Sequence, residues 1–486
     1  MISAADITMI AWVIAVIIYI IDFAVRLWLL VYIPKDRKPT AAMSWLLLIF
    51  IIPIFGTILF FILGSTKLSK RRRHHQLQVN KMLEHYTSDL RKKGLGAIIP
   101  EPHDAQAKLA EAFTCLAPTS YNAVRIVTDY DDMIAEIVHK INSAQHYVYI
   151  EFYILAMDEA TEPFFEAMEE AVKRGVVVRV LFDAWGSRKF KQFKDMRRRM
   201  TAAGIEWHRI LPFTLNLKNY NRVDLRNHRK IVVIDNTDAY IGSLNMIDKT
   251  YHRKDDISYI ELAVHMQGPS VNECAAVFAS DWYFETGEFL HHFMENSRPA
   301  VEGNAAVQVV PSGSNYPYQN NLRLFNSLIQ SARKSIVITN PYLVPDESLL
   351  GALISAAQRG VRVSILNSEA MDQWLVGHAQ RSYYEELTRA GVVISLYKKP
   401  QLVHEKFISV DDEVGIIGSS NLDIRSFELN LECVVVAYDA PTAHALRLHH
   451  DKLLKNAEPI NLEAWLKRSF WQSFLDSIAR LTSALQ

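Results

Sequence analysis

Apolar positions are concentrated at the start of the chain. Ile7 to Ile33 is almost continuously apolar, interrupted by Thr8, Asp22 and Arg26. Ala41 to Gly64 forms a second block, interrupted mainly by Ser44 and Thr57, with Pro53 and Gly56 predicting a bend. Each block is long enough to cross a hydrocarbon layer of about 30 Å as a helix. No Lys or Arg precedes the first block and the second follows at once, which fits a cleaved signal peptide poorly. The pattern therefore predicts a two-helix transmembrane hairpin over residues 1–66. Residues 67–120 are polar and helix-prone and read as a basic connector. From about 121 onward short β-rich runs alternate with helical stretches. Tyr147 to Ile154 reads as a buried strand, Phe164 to Arg174 as a helix, and Val176 to Phe182 as a strand again. Such alternation predicts an α/β fold.

Charge adds an orientation and removes some functions. Lys35, Arg37 and Lys38 lie between the apolar blocks, and Lys67, Lys70, Arg71, Arg72 and Arg73 follow the second. The more basic flank is expected in the cytoplasm, with the bulk of the chain, in a multi-pass protein of the cell membrane. The basic residues of the loop itself count against that orientation, and a re-entrant hairpin with both flanks cytoplasmic, the alternative, satisfies the charges better. Lys plus Arg and Asp plus Glu both number 53, so no overall basic excess points to nucleic acid. Cys115, Cys274 and Cys433 are far apart and odd in number, which suits buried thiols rather than a disulfide framework.

The chain also repeats itself. Ala171 to Leu181, containing Arg174-Gly175, matches Ala356 to Leu366, containing Arg359-Gly360, at an offset of 185. The offset drifts elsewhere, as small loop insertions in a duplicated fold allow. It then locks at 176. His228, Lys230, Asp235, Gly242, Ser243 and Asn245 match His404, Lys406, Asp411, Gly418, Ser419 and Asn421 without a slip, and Asp256 matches Glu432. Duplicated scaffolding alone needs recurring apolar positions. Recurring His, Lys, Ser and Asn indicate a site.

In each copy the His and Lys are two apart and lead into an apolar run that reads as a strand. Residues i and i+2 of a strand share a face, so imidazole and ammonium are delivered side by side. The Asp after each strand is a candidate catalytic residue, but it reads more readily as part of a hairpin turn. The next strand ends in Gly-Ser-x-Asn, where Gly permits close backbone approach and Ser and Asn supply neutral donors. Two copies about a pseudo-twofold axis bring two His, two Lys and two Asn around one pocket suited to a phosphate group. In-line displacement at phosphorus needs a nucleophile on one side and a proton donor on the other, and opposed imidazoles supply both. Lys and Asn groups stabilise the non-bridging oxygens without a metal ion. Asp256 and Glu432 are candidates to hold the far ring nitrogen of an imidazole. Zinc ligation is disfavoured, since no Cys or HExxH pattern accompanies either copy.

These residues resemble the phospholipase D superfamily, whose HxK(x)4D(x)6GSxxN signature occurs twice in two-domain members. Here one residue rather than two separates Ser419 from Asn421, as in many bacterial members. With the two apolar segments and Asn430-Leu-Glu432, the chain is similar to bacterial cardiolipin synthases. The resemblance implies two tandem phospholipase D-like domains of mixed β-sheet flanked by helices, over 121–300 and 301–486. It also implies phosphatidyl transfer from one phosphatidylglycerol to another through a phosphohistidine, with His228 as nucleophile, His404 as acid and then base, and no cofactor. A hydrolase giving phosphatidic acid is the alternative, and a non-enzymatic membrane scaffold is a more remote one. Near the C-terminus, Leu466, Phe470, Phe474 and Ile478 recur every four residues beside Trp465 and Trp471. Such a stripe packs on a domain core more often than it lies in a lipid interface, and packing is the expectation.

Overall fold

In the computed structural model, residues 4–64, 70–212, 222, 224–252, 257–294, 298–300 and 302–483 are described. The chain divides into two compact units, residues 1–68 with 220–224, and the remainder.

In the first unit the leading apolar block is one helix, α1 (Ala4–Tyr32), long and apolar enough over Ile7–Tyr32 to span a bilayer. Its two internal charges, Asp22 and Arg26, pair with each other at 2.6 Å one turn apart, which lowers the cost of placing them in lipid. Among the described residues no second helix, expected of the next apolar block, is long and apolar enough to span. The block splits into α2 (Pro39–Ile51) and α3 (Pro53–Leu63), 13 and 11 residues long. At about 1.5 Å per residue neither reaches across 30 Å. The break follows from Pro53, which lacks an N–H and forces Ile52 out of helical geometry, to φ −126° and ψ 77°. The two short helices fold back on one another. Trp45 meets Phe60 edge-on at 5.5 Å, and a Cβ on Gly56 would stand 2.8 Å from the Leu48 carbonyl oxygen. Arg37, just before α2, donates to the carbonyl of Gly64, just after α3, at 2.8 Å and 3.2 Å. Both ends of the block therefore lie together.

The second unit is built on one 15-stranded sheet. The first half of the repeat supplies β1 (Thr119–Val127), β2 (Tyr147–Phe152), β3 (Val177–Asp183), β4 (Glu206–Ile210), β5 (Ile231–Ile234), β6 (Asp238–Gly242), β7 (Ser258–Ile260) and β8 (Ala263–Gln267). The second half supplies β9 (Ala305–Ser312), β10 (Ser335–Thr339), β11 (Leu343–Val344), β12 (Arg362–Ser368), β13 (Val393–Tyr397), β14 (Gln401–Val403), β15 (Phe407–Val410), β16 (Val414–Gly418), β17 (Leu422–Asp423), β18 (Glu432–Tyr438) and β19 (Ala457–Pro459). Across the sheet the first half runs β1-β8-β6-β5-β2-β3-β4, and the second half repeats that order as β9-β18-β16-β15-β10-β12-β13, with β19 added at the edge. The halves join where β9 pairs with β1. β5 and β15 are buried along their whole length, as strands covered by helices on both faces require. Each half has its own core, around Ile150, Phe165, Val180 and Val232 in one and Ile338, Leu353, Ile365 and Ile408 in the other.

Asp235 and Asp411 lie at the ends of β5 and β15 remote from the His–Lys pairs. Asp235 with Asn236, and Asp411 with Asp412, adopt positive φ and turn the chain into β6 and β16. Asp235 accepts from the backbone N–H groups of Gln145, His146 and Tyr147 at 2.7–2.9 Å. Asp411 accepts from those of Arg333, Lys334 and Ser335 at 2.7–2.8 Å. Each carboxylate fixes the start of the neighbouring strand, β2 or β10. Of the two roles the sequence allowed them, catalytic residue or hairpin turn, the structure places both aspartates in the hairpins, away from the imidazoles.

The expected packing of the C-terminal stripe is also corrected. The helix Phe470–Arg480 turns Asp476 and Ala479 inward and leaves Phe470, Trp471, Phe474 and Ile478 exposed. Trp465 alone of that group packs, against Tyr384.

Candidate active site

The backbones of the two halves are stitched together at the site. His228 N–H donates to Leu431 O at 2.8 Å and Leu431 N–H donates to Arg226 O at 2.8 Å. In the other half His404 N–H donates to Ile260 O at 2.8 Å, and β14 runs parallel to β7. Each His–Lys segment is thus paired with the stretch that carries the other half's glutamate.

The side chains follow that exchange. His228 Nδ1 stands 3.0 Å from both carboxylate oxygens of Glu432, and His404 Nδ1 stands 2.9 Å and 3.0 Å from those of Glu261. Ser419 donates to Glu432 and Ser243 donates to Glu261. With Nδ1–H given to a carboxylate, the neutral ring presents its lone pair at Nε2. Gly242 and Gly418 permit this closeness, because a Cβ there would meet Leu262 O at 2.3 Å and Cys433 O at 2.4 Å.

Lys230 and Lys406 lie beside the rings, each donating to the carbonyl of its own His, at 2.6 Å and 2.5 Å. Asn245 Oδ1 accepts from Ile154 N–H at 3.2 Å, while Asn421 Oδ1 is buried without a hydrogen-bond partner among the described residues. Tyr153 packs edge-on against His228 and Tyr259 against His404, both at 5.2 Å.

Burial sets the electrostatics. It lowers both imidazoles from their ordinary 6.5, against the opposing pull of the paired glutamate. It lowers Lys230 to about 7, with the Lys406 ammonium depressing it further, and lowers Lys406 to about 8, in each case against the pull of Glu261 and Glu432. Burial pushes Glu432 and Glu261 up, but the facing imidazole, lysine and serine more than offset it and both stay below the usual range. Lys406 acts on His228 and Lys230 acts on His404. The two sets therefore form one site.

Nine of the twelve expected site residues converge here: His228, Lys230, Ser243, Asn245, His404, Lys406, Ser419, Asn421 and Glu432. The hairpin aspartates Asp235 and Asp411 do not, and Asp256, expected to hold an imidazole, lies outside the described residues. That role, the partner of His404, belongs to Glu261, which the constant offset did not find. Its signal was the strand context: Ile260-Glu261-Leu262-Ala263 parallels Leu431-Glu432-Cys433-Val434, five residues out of register with the preceding motif. Two buried charges between His and Lys were also missed. Arg229 turns to the opposite face, pairs with Asp281 and donates to Glu432 O at 3.0 Å. Glu405 pairs there with His449 at 2.9 Å.

The family model described as cardiolipin synthase, PLD-like domain, matches residues 137–282 and 325–454, and so takes in both copies of the site. The chain belongs to this family. A model described as the phospholipase D-nuclease N-terminal matches residues 24–65. Cardiolipin synthase A of Proteus mirabilis is 34% identical over 92% of this chain and 94% of its own length. Cardiolipin synthase A of Cronobacter sakazakii is 31% identical over 98% and 99%. Among solved structures, phosphatidylserine synthase of Haemophilus influenzae superposes with a TM-score of 0.57 at 13% identity, covering 78% of this chain and 98% of that one. At that identity the likeness establishes the shared fold alone.

Proposed function

We propose that the chain joins two phosphatidylglycerol molecules into cardiolipin, releasing glycerol. The observation that carries the reading is the pair of Glu-anchored imidazoles, each held by the other half of the chain, in a family of cardiolipin synthases. Nε2 of His228 attacks the phosphorus of the first lipid, the bond to the glycerol headgroup oxygen breaks, and protonated His404 gives its proton to that oxygen. The phosphatidyl group then rests on His228. Neutral His404 takes the proton from a hydroxyl of the second lipid, whose oxygen attacks phosphorus as the bond to His228 breaks. Lys230, Lys406, Asn245 and Asn421 stabilise the developing charge on the non-bridging oxygens, and Glu432 and Glu261 fix ring orientation and stabilise the imidazolium. The role of nucleophile goes to His228 because it lies in the first motif of the family pattern.

The chain is a membrane protein, with one helix among the described residues long and apolar enough to cross the bilayer. We infer a single crossing by α1 and a re-entrant α2–α3, because Arg37 and Gly64 meet and so hold both ends of the second block on one side, with the basic stretch 70–73 following only six residues later in the chain. By the positive-inside tendency that side is cytoplasmic, and it carries the catalytic unit. Incubating the purified chain with headgroup-labelled phosphatidylglycerol tests the reaction. Cardiolipin with labelled glycerol in equal amounts is expected; phosphatidic acid as the main lipid product overturns the transferase in favour of a hydrolase.

A further inference from the structure

The outer side of the C-terminal helix is an unusual surface for water. Phe470, Trp471, Phe474, Ile478 and Leu481 are 72, 69, 44, 47 and 80% exposed, and Trp374, at the start of helix Trp374–Arg389, is 64% exposed. Contiguous aromatic patches of this kind mark contact surfaces. The helix is firmly made, with a Ser469–Gln472 capping box at its start. It is also firmly seated. Asp476 on its inner side receives His378 Nδ1 and Arg468 Nη1, each at 2.7 Å, and Trp374 lies against His378 at 4.4 Å. The exposed side is therefore fixed by the fold.

Charge and position select the occupant. Lys467, Arg468 and Arg480 flank the apolar face, Arg468 paired inward with Asp476 and Arg480 with Glu386 at 3.5 Å, and the only acid between them, Asp476, points inward with its side chain 3% exposed. An apolar face with basic ends and interfacial Trp fits the headgroup layer of an anionic bilayer. The patch also borders the catalytic centre. Two residues before Trp374, Asp372 accepts from Tyr342 at 2.8 Å and Tyr259 at 3.2 Å, and the Tyr259 ring packs on His404. We propose that the outer face of helix Phe470–Arg480, with Trp374, seats in the headgroup layer and brings lipid headgroups to the His404 side of the site while their acyl chains stay in the bilayer. The delivery part rests on the lipid-transfer reading above; the seating does not.

The test uses the full chain in vesicles of phosphatidylcholine and phosphatidylglycerol. In a Cys115→Ser background, Phe474→Cys carries an environment-sensitive dye, and Lys173→Cys, an exposed position on helix Glu162–Lys173, carries it as the control. Quenching by lipids spin-labelled near the headgroup is expected to be several-fold stronger at 474 than at 173. Equal quenching at both positions, or energy transfer between differently labelled copies at 474 without lipid quenching, overturns the seating and in the second case makes the face a self-association surface. The readout is independent of any product formed. The triple variant Phe470→Ser, Trp471→Ser, Phe474→Ser is then expected to raise the apparent KM for phosphatidylglycerol in vesicles about tenfold, with activity on a water-soluble short-chain analogue unchanged. An unchanged vesicle KM overturns delivery. Loss of activity on both substrates also overturns it, since the face would then be serving the fold or the chemistry instead.

Discussion

Glu432 and Glu261 each hold an imidazole through Nδ1 and are themselves held by a serine hydroxyl. Replacing either carboxylate by an amide keeps the size but offers the ring an N–H and removes the charge that supports the imidazolium. Glu432→Gln and Glu261→Gln are each expected to lower kcat about 100-fold or more, measured as cardiolipin formed per enzyme. The two histidines are less forgiving. His228→Ala and His404→Ala are each expected to abolish product, and appreciable turnover by either variant would dismiss the two-imidazole mechanism. The lysines set the alkaline limit. Lys230 at about 7 and Lys406 at about 8 lose their protons as pH rises, so kcat/KM for the free enzyme is expected to fall above that range. In Lys230→Arg, whose guanidinium stays charged, that limb should move to higher pH, read from the pH profile of kcat/KM. Asp235 behaves differently because its partners are three backbone N–H groups and no imidazole. Asp235→Ala is expected to cost about 1–3 kcal/mol in stability by denaturant unfolding, with kcat of the folded fraction retained.

At the scale of elements, the apolar blocks were legible as membrane-seeking from their length, but their number of crossings was not. Hydropathy reads a 24-residue block as one span; the pairing of Arg37 with Gly64 and the contact of Gly56 with Leu48 make it two short helices folded together. Cysteines at Lys35 and Arg73 should therefore react with an impermeant reagent from the same face of oriented vesicles. Labelling from opposite faces would restore the simple spanning hairpin. The strand–helix alternation and the hairpins after His228 and His404 were read correctly because short continuous apolar runs and the turn residues between them act locally. The direction faced by the C-terminal helix was not, since a four-residue apolar spacing is the same whether its partner is a protein core or a bilayer.

Across the whole molecule, neither half of the repeat holds a finished site. His228 needs Glu432 and His404 needs Glu261, over sequence separations of 204 and 143 residues. Residues 70–300 and 302–486 expressed separately are expected to show no cardiolipin synthesis, and activity is expected to return when the two are co-expressed. A single half active by itself, without self-association, would remove the exchanged arrangement.

The order of residues by itself determined that the chain carries two copies of one phosphate-handling motif behind apolar segments, because spacing and residue type travel with the chain. It could equally well identify each imidazole's neighbouring lysine, which lies two positions away on the same face. Tertiary structure alone decided that the glutamates are traded between copies, that Glu261 rather than a fixed-offset carboxylate serves His404, and that the aspartates tie down strands. Those outcomes depend on distant backbones pairing in space, and an insertion of a few residues erases the register by which sequence comparison would find them.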